Sequence, residues 1–209
     1  MITPGARVLL DRDDVRRAVE RVASEIERDF PRGVVLVGVL KGALVFLADL
    51  ARAIRTIDVQ VDFLGISRFA PDSGRVRIVH DVTMDLGGRD VVLVEDLVDT
   101  GLTLAYLLRY VEGLGAARVE VCTLLDRPVR RIVPVTARYV GTEIDDVFVL
   151  GNGLHHHDRY RNLPVVLEAD RALLVTDPDA YRAWYTSPSA GAEPREAGGT
   201  LDGDAEATA

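Results

Sequence analysis

Val91-Val92-Leu93-Val94-Glu95-Asp96-Leu97-Val98-Asp99-Thr100-Gly101-Leu102-Thr103-Leu104 decides how the rest of this chain is read. Its first four residues are apolar, mostly β-branched and uncharged, as in a strand buried on both faces. Two carboxylates, Glu95 and Asp96, follow at once. Asp99-Thr100-Gly101 then makes a short turn, and Leu104, Leu107, Leu108 and Val111 repeat at helical spacing. Acids and a glycine turn therefore stand where a strand hands over to a helix. In open α/β sheets, ligands bind outside that carboxyl edge. The first N–H groups of the following helix lack internal partners and carry partial positive charge, which suits a phosphate. Gly101 permits close backbone approach, and the Thr100 and Thr103 hydroxyls add hydrogen bonds. Glu95 and Asp96 can accept from vicinal hydroxyls, so a phosphorylated sugar would satisfy both ends of the stretch.

Competing readings are weaker. Asp-Thr-Gly also marks aspartic proteases, but those are all-β and need two such loops, and the chain has one. No Gly-x-x-x-x-Gly-Lys-[Ser/Thr] is present, which removes a nucleotide P-loop. A merely solvated acidic turn would not gather so many polar groups around one glycine.

The chain has 209 residues, 48% hydrophobic and 28% charged, which suits one soluble domain with a sizeable core. The formal net charge of −8 argues against general binding to nucleic acid or an anionic membrane. The stretch Met1 to Arg7 has no apolar signal segment, so a leader is not expected, and no apolar run is long enough for a bilayer span. Cys122 is the only cysteine, so no internal disulfide can form and a cytoplasmic location is expected. Lysine and arginine total 25, yet Lys41 is the only lysine.

The pattern along the chain alternates helix and strand. Asp11 to Phe30 reads as an amphipathic helix, with Asp11 or Asp13 as cap and Val15, Ala18, Val19, Val22 and Ile26 on one face. Val34 to Val39 is a buried strand. Leu40-Lys41-Gly42 is a strand-to-helix turn, which puts Lys41 at the same sheet edge as Asp99. Alternation at Val59, Val61 and Phe63 predicts a strand to about Ile66, and a mobile loop over Ser67 to Arg75 leads to a short strand, Val76 to Val79. A loop there can close as a lid over a phosphate site. Gly87-Gly88 turns into the central strand. Val119 to Leu125 is the next strand, ended by Asp126-Arg127-Pro128. Ile132 to Tyr139 is weakly patterned. Val147 to Leu150 reads as a short strand before Gly151-Asn152-Gly153, with Phe148 in the core. Three successive histidines, His155 to His157, cannot all face one site, so they are not a metal cage. Val165 to Leu167 is read as a last strand and Asp177 to Tyr185 as a short helix. The domain is expected to cover residues 1–185, with residues 186–209 a disordered tail by composition.

The Glu95-Asp96 pair with Asp99-Thr100-Gly101-Leu102-Thr103 resembles the phosphoribosyl-pyrophosphate (PRPP) signature of type I phosphoribosyltransferases, within them the hypoxanthine/guanine branch. The run Arg159-Tyr160-Arg161-Asn162-Leu163-Pro164 resembles the same family, and the likeness covers about residues 6–168. It implies a doubly wound α/β fold: a mostly parallel sheet flanked by helices, with a small flexible hood. It implies transfer of the 5-phosphoribosyl group from PRPP to a purine base, hypoxanthine or guanine first, with a magnesium ion (Mg2+) as cofactor. Its implied partners are PRPP and a purine-like base, with no nucleic acid and no membrane, in a homo-oligomer. By the same resemblance Lys41, Gly42, Glu95, Asp96, Asp99, Thr100, Gly101, Leu102, Thr103 and Arg161 bind PRPP. Arg127, Phe148 and Val149 meet the base, Glu95 and Asp96 with His155 meet the metal, and Asp99 is the catalytic acid/base. Four residues, at three places, depart from the family pattern. Arg68-Phe69 stands where the hood loop carries Ser-Tyr, Arg127 replaces a lysine, and His155 replaces a magnesium-binding aspartate, with Asp158 as the alternative carboxylate for that role. A specialised base such as a deazapurine, or a non-catalytic PRPP- or nucleotide-binding regulator, is the alternative these departures leave open.

Overall fold

The computed structural model describes residues 6–68 and 76–185. The loop read over Ser67 to Arg75 is described only at Ser67 and Arg68, which belong to a strand instead; the rest of that reading and the 186–209 tail lie outside the described residues. The chain runs β1 (Arg7–Leu10), α1 (Arg12–Asp29), β2 (Val34–Leu40), α2 (Leu44–Ala53), β3 (Val59–Arg68), β4 (Val76–His80), β5 (Asp90–Val98), α3 (Leu102–Gly113), β6 (Arg118–Asp126), β7 (Tyr139–Glu143), β8 (Val149–Leu150), β9 (Val166–Glu168) and α4 (Arg171–Thr176). Six strands form the main sheet in the order β4-β3-β2-β5-β6-β7, parallel except for the antiparallel edge strand β4. A second, antiparallel sheet has the order β1-β9-β8.

The central strands explain the layering. Successive side chains of β5 alternate faces. Val92 and Val94 join the core that packs α1 and α2, while Val91 and Leu93 join the core under α3. An apolar run without alternation is what two covered faces require. Asp11 caps α1 in a capping box with Asp14, each side chain accepting from the other's backbone N–H; loss of such a cap costs about 1 kcal/mol. No described helix is long and apolar enough to cross a membrane.

Several boundaries differ from the sequence reading. The central strand does not stop at Val94 but runs on through Glu95 and Asp96 to Val98, because β6 continues to pair with it out to Val98. The Val147–Leu150 strand shrinks to Val149–Leu150, pairing only with β9. The last strand is shifted by one residue, to Val166–Glu168. β1 and β7 were not anticipated. In the 177–185 segment only Arg182–Tyr185 is helical, as a 3-10 turn, and the α-helix lies earlier, where Asp170 caps α4. Phe148 is only partly buried and sits at the rim of the core formed around the second sheet.

Candidate functional site

The carboxyl ends of β2, β5 and β6 bring the expected residues to one edge. At β5, Asp99 and Thr100 lead into Gly101, whose φ of +82° is the left-handed conformation. A side chain at Gly101 would meet the Val133 carbonyl at 2.7 Å and the Val135 methyl at 2.7 Å, so only glycine fits. Gly101 caps α3 without any side-chain hydrogen bond, and no acid lies in the first turn. The amides of that turn therefore keep their affinity for an anion. The Thr100 hydroxyl accepts only a long contact from the Leu102 N–H, 3.5 Å. Leu102 itself is exposed, and Thr103 is half-buried.

The underside of this turn is built by the loop after β6. The N–H groups of Ile132 and Val133 both donate to the Thr100 carbonyl, at 2.9 and 3.1 Å. Arg131 donates to the Asp99 carbonyl at 2.7 Å and pairs with the Asp126 carboxylate. The carbonyls are tied back, so the amides are left to the ligand side. Nothing in the periodicity pointed to Arg131; its place in the loop that follows β6 was the only sequence signal.

Asp99 lies between two guanidinium groups. Its Oδ2 is 3.5 Å from Arg127 and 3.7 Å from Arg130. Arg127 is 4% exposed and donates to the Val147 carbonyl at 2.5 Å. In this pair one buried atom on each side has no partner: Asp99 Oδ1, an acceptor, and Arg127 Nε, a donor. Unmet groups of this kind cost free energy unless a ligand satisfies them. Phe148 stands nearby in the chain, with His156 edge-on at 6.1 Å and the Arg171 guanidinium 6.0 Å from its ring centre. Val149 is buried in β8.

A second group of loops meets at Gly42. The Leu40–Lys41 peptide is cis. Any side chain at Gly42 would collide with the Asp96 carboxylate, because an added Cβ falls 1.9 Å from its Oδ2. Gly153, at φ +98°, presses on the other side, with its Cβ position 2.1 Å from the Gly42 carbonyl. Arg161 completes this corner: it donates to the Gly153 carbonyl at 2.7 Å and to Asp158 at 2.8 Å, while its Nε is buried without a partner. Lys41 reaches Asp158 at 3.4 Å. The two cations hold the Asp158 carboxyl below its usual range, Arg161 more than Lys41. Asp158 was expected only as the alternative to His155 for the metal, not as the partner of Lys41 and Arg161.

Glu95 is 8% exposed and belongs to the strand face opposite Asp96. His155 is exposed, and its Nδ1 accepts the Asp158 N–H at 3.1 Å. Among the described residues, no three His, Cys, Asp or Glu side chains converge as a metal group. The structure therefore does not gather Glu95, Asp96 and His155 into a protein-built metal cage.

Comparison with known proteins agrees with this geometry. The family model for the phosphoribosyl transferase domain matches residues 8–159. Hypoxanthine-guanine phosphoribosyltransferase of Bacillus subtilis is 37% identical over 164 residues, covering 77% of this chain and 91% of that one. Among solved structures, a hypoxanthine-guanine phosphoribosyltransferase of Bacillus anthracis with HEPES in its active site is 38% identical, with a TM-score of 0.75, covering 78% of this chain and 98% of that one. Hypoxanthine phosphoribosyltransferase of Trypanosoma cruzi in complex with the product IMP is 33% identical, with a TM-score of 0.76, covering 79% and 95%. By its signature turn, its sheet order and these likenesses together, this chain belongs to the phosphoribosyltransferase family.

Proposed function

We propose that this enzyme transfers the 5-phosphoribosyl group from PRPP to a ring nitrogen of a 6-oxopurine, hypoxanthine or guanine, releasing diphosphate. The observation that carries the reading is the buried pair of unmet groups, Arg127 Nε and Asp99 Oδ1, at the edge where the uncapped α3 amides await a phosphate. A 6-oxopurine offers an acceptor oxygen and, close by, a ring N–H, which answers that donor and that acceptor in turn.

Each residue then has a physical task. The Thr100–Thr103 turn holds the 5′-phosphate through amides and hydroxyls. Glu95 and Asp96 hold the ribose hydroxyls. Lys41, the Gly42 backbone and Arg161 hold the diphosphate, with Asp158 giving up its two cations as the anion arrives. Phe148 stacks on the base and the backbone around Val149 reads its edge. The bond from the sugar carbon to the diphosphate oxygen breaks, the bond to the base nitrogen forms, and the base's proton passes to Asp99. The developing positive charge on the sugar is met by the fixed carboxylates.

The carboxylates of Glu95, buried, and Asp96, partly buried, are hard oxygen donors that would suit magnesium. When bound, the ion neutralises charge on the leaving diphosphate. We assign His155 only a minor part in holding it, since a neutral imidazole suits softer metals.

A homo-oligomer, dimer or tetramer, is part of the proposal, supported by exposed apolar side chains such as Leu44, Leu102, Val129 and Ile132. A cytoplasmic location fits the single, buried cysteine.

The test is a base panel with PRPP and magnesium, scored for diphosphate and nucleotide. Hypoxanthine and guanine should outcompete adenine in kcat/KM. Preference for adenine would refute the role given to Arg127, and release from no base would refute the activity.

A further inference from the structure

Tyr160 is a buried tyrosine, 1% exposed, in the left-handed region at φ +73°. Bulky side chains adopt that conformation only when the surroundings impose it. Tyr160 is gripped by the 177–185 segment, which lies beyond the part of the chain matched by the family model. The Tyr160 N–H donates to the Tyr185 hydroxyl at 2.9 Å, and the two rings stack at 5.5 Å, 6° from parallel. The Tyr160 hydroxyl donates to the Pro178 carbonyl at 2.6 Å. The residue before it is held by the same segment: Arg159 donates to Asp179 at 2.8 Å and to the Pro178 carbonyl at 3.2 Å.

The residue after Tyr160 is Arg161. Its backbone carbonyl accepts from the Gly153 N–H at 2.9 Å, and its guanidinium donates back to the Gly153 carbonyl. Gly153 is the residue that presses on the Gly42 carbonyl. A chain of direct contacts thus runs from Tyr185 through Tyr160 and Arg161 to the Lys41-Gly42 turn. Arg161 also ends in the buried, partnerless Nε already noted.

We propose that the 177–185 segment is a strap that positions Arg161 for the diphosphate, with Tyr185 and Asp179 as its two positioning residues. The inference rests on the assignment of Lys41, Gly42 and Arg161 to the diphosphate. The strap touches no substrate. It fixes the backbone turn from which Arg161 reaches, so its loss should loosen the diphosphate half of the site and leave the half that holds a nucleoside monophosphate alone.

The experiment is calorimetric titration of the full chain with magnesium diphosphate and, separately, with inosine 5′-monophosphate. Wild type, Tyr185→Phe and Asp179→Asn are compared, with melting temperature measured on each. Tyr185→Phe keeps the ring stack and removes only the hydroxyl; Asp179→Asn breaks the other grip independently. Each should weaken diphosphate binding by about threefold to tenfold, the worth of one hydrogen bond, and leave monophosphate binding unchanged. In an Arg161→Lys background, Tyr185→Phe should add nothing further. Unchanged diphosphate binding in both variants overturns the strap. So does equal weakening toward both ligands in step with a fall in melting temperature, which is what general loosening produces. Failure of the wild type itself to bind magnesium diphosphate is a different result: it removes the diphosphate assignment of Lys41 and Arg161, and the strap with it.

Discussion

Asp99 is the residue to which the proposed proton transfer is assigned, and its surroundings separate two jobs. One carboxylate oxygen faces Arg127 and Arg130, while the other is buried and unmet. Asp99→Asn keeps the shape and an oxygen for the arginines, but the amide cannot take a proton. PRPP affinity should therefore survive while turnover falls about 10²-fold; near-normal turnover across the pH range would remove the acid/base role. His155 supports a second prediction. A carboxylate there would add a hard, charged ligand for magnesium, so His155→Asp should lower the magnesium concentration needed for half-maximal rate. Asp158 competes for that role in sequence, yet it is engaged with Lys41 and Arg161. Asp158→Ala should therefore leave the magnesium requirement in place. If only Asp158→Ala raises it and His155→Asp does nothing, Asp158 is the carboxylate that serves the metal.

At the scale of elements, the legible parts are those where chemistry and pattern coincide. The β5–α3 junction could be read because an uncharged strand, two acids and an αL glycine occur in succession, and Lys41 because it ends a buried strand. Arg131 and the ion pair of Asp158 with Lys41 left no such signal, since the partners concerned lie 32 residues and 117 residues away in the chain. Two further elements were not legible: β7, whose Tyr139–Glu143 sequence lacks a clean alternation, and β1, which among the described residues pairs with the distant β9. Long-range pairing of that kind leaves no local trace. Gly153 was read as a turn residue and proves to be a contact residue as well. Gly153→Ala would be strained by its φ of +98° and would drive a methyl into the Gly42 carbonyl, 2.1 Å away. A Cβ cannot be accommodated without moving the Lys41-Gly42 turn. We expect KM for PRPP to rise about tenfold or more, as small misplacements of binding groups do, with base KM little changed. Equal KM values for wild type and variant would mean that the turn does not bind PRPP in the conformation described here.

The whole molecule joins a parallel sheet to a small antiparallel one, and the second sheet has its own core around Leu150, Tyr160, Leu163 and Leu167. His156 lies at its rim. Burial disfavours its charged form first, and neighbouring His157 and Arg171 add repulsion, while a hydrogen bond to the Leu174 backbone opposes them; the net effect lowers its pKa from the ordinary 6.5. The sign follows directly. Below pH 6.5 the unfolded chain takes up a proton at this residue more readily than the folded chain, so stability falls as pH drops from 6.5 through the lower folded value. His156→Phe would keep a ring against Phe148 and remove the titration. Denaturant unfolding at pH 7.5 and pH 5.5 should therefore show a smaller loss of stability in His156→Phe than in wild type. The loss should appear first in probes of the small sheet, such as Trp184 fluorescence, because the Trp184 side chain packs against that core. Identical losses in the two proteins would show that the histidine titrates alike in the folded and unfolded chain, and that the small sheet draws none of its pH dependence from it.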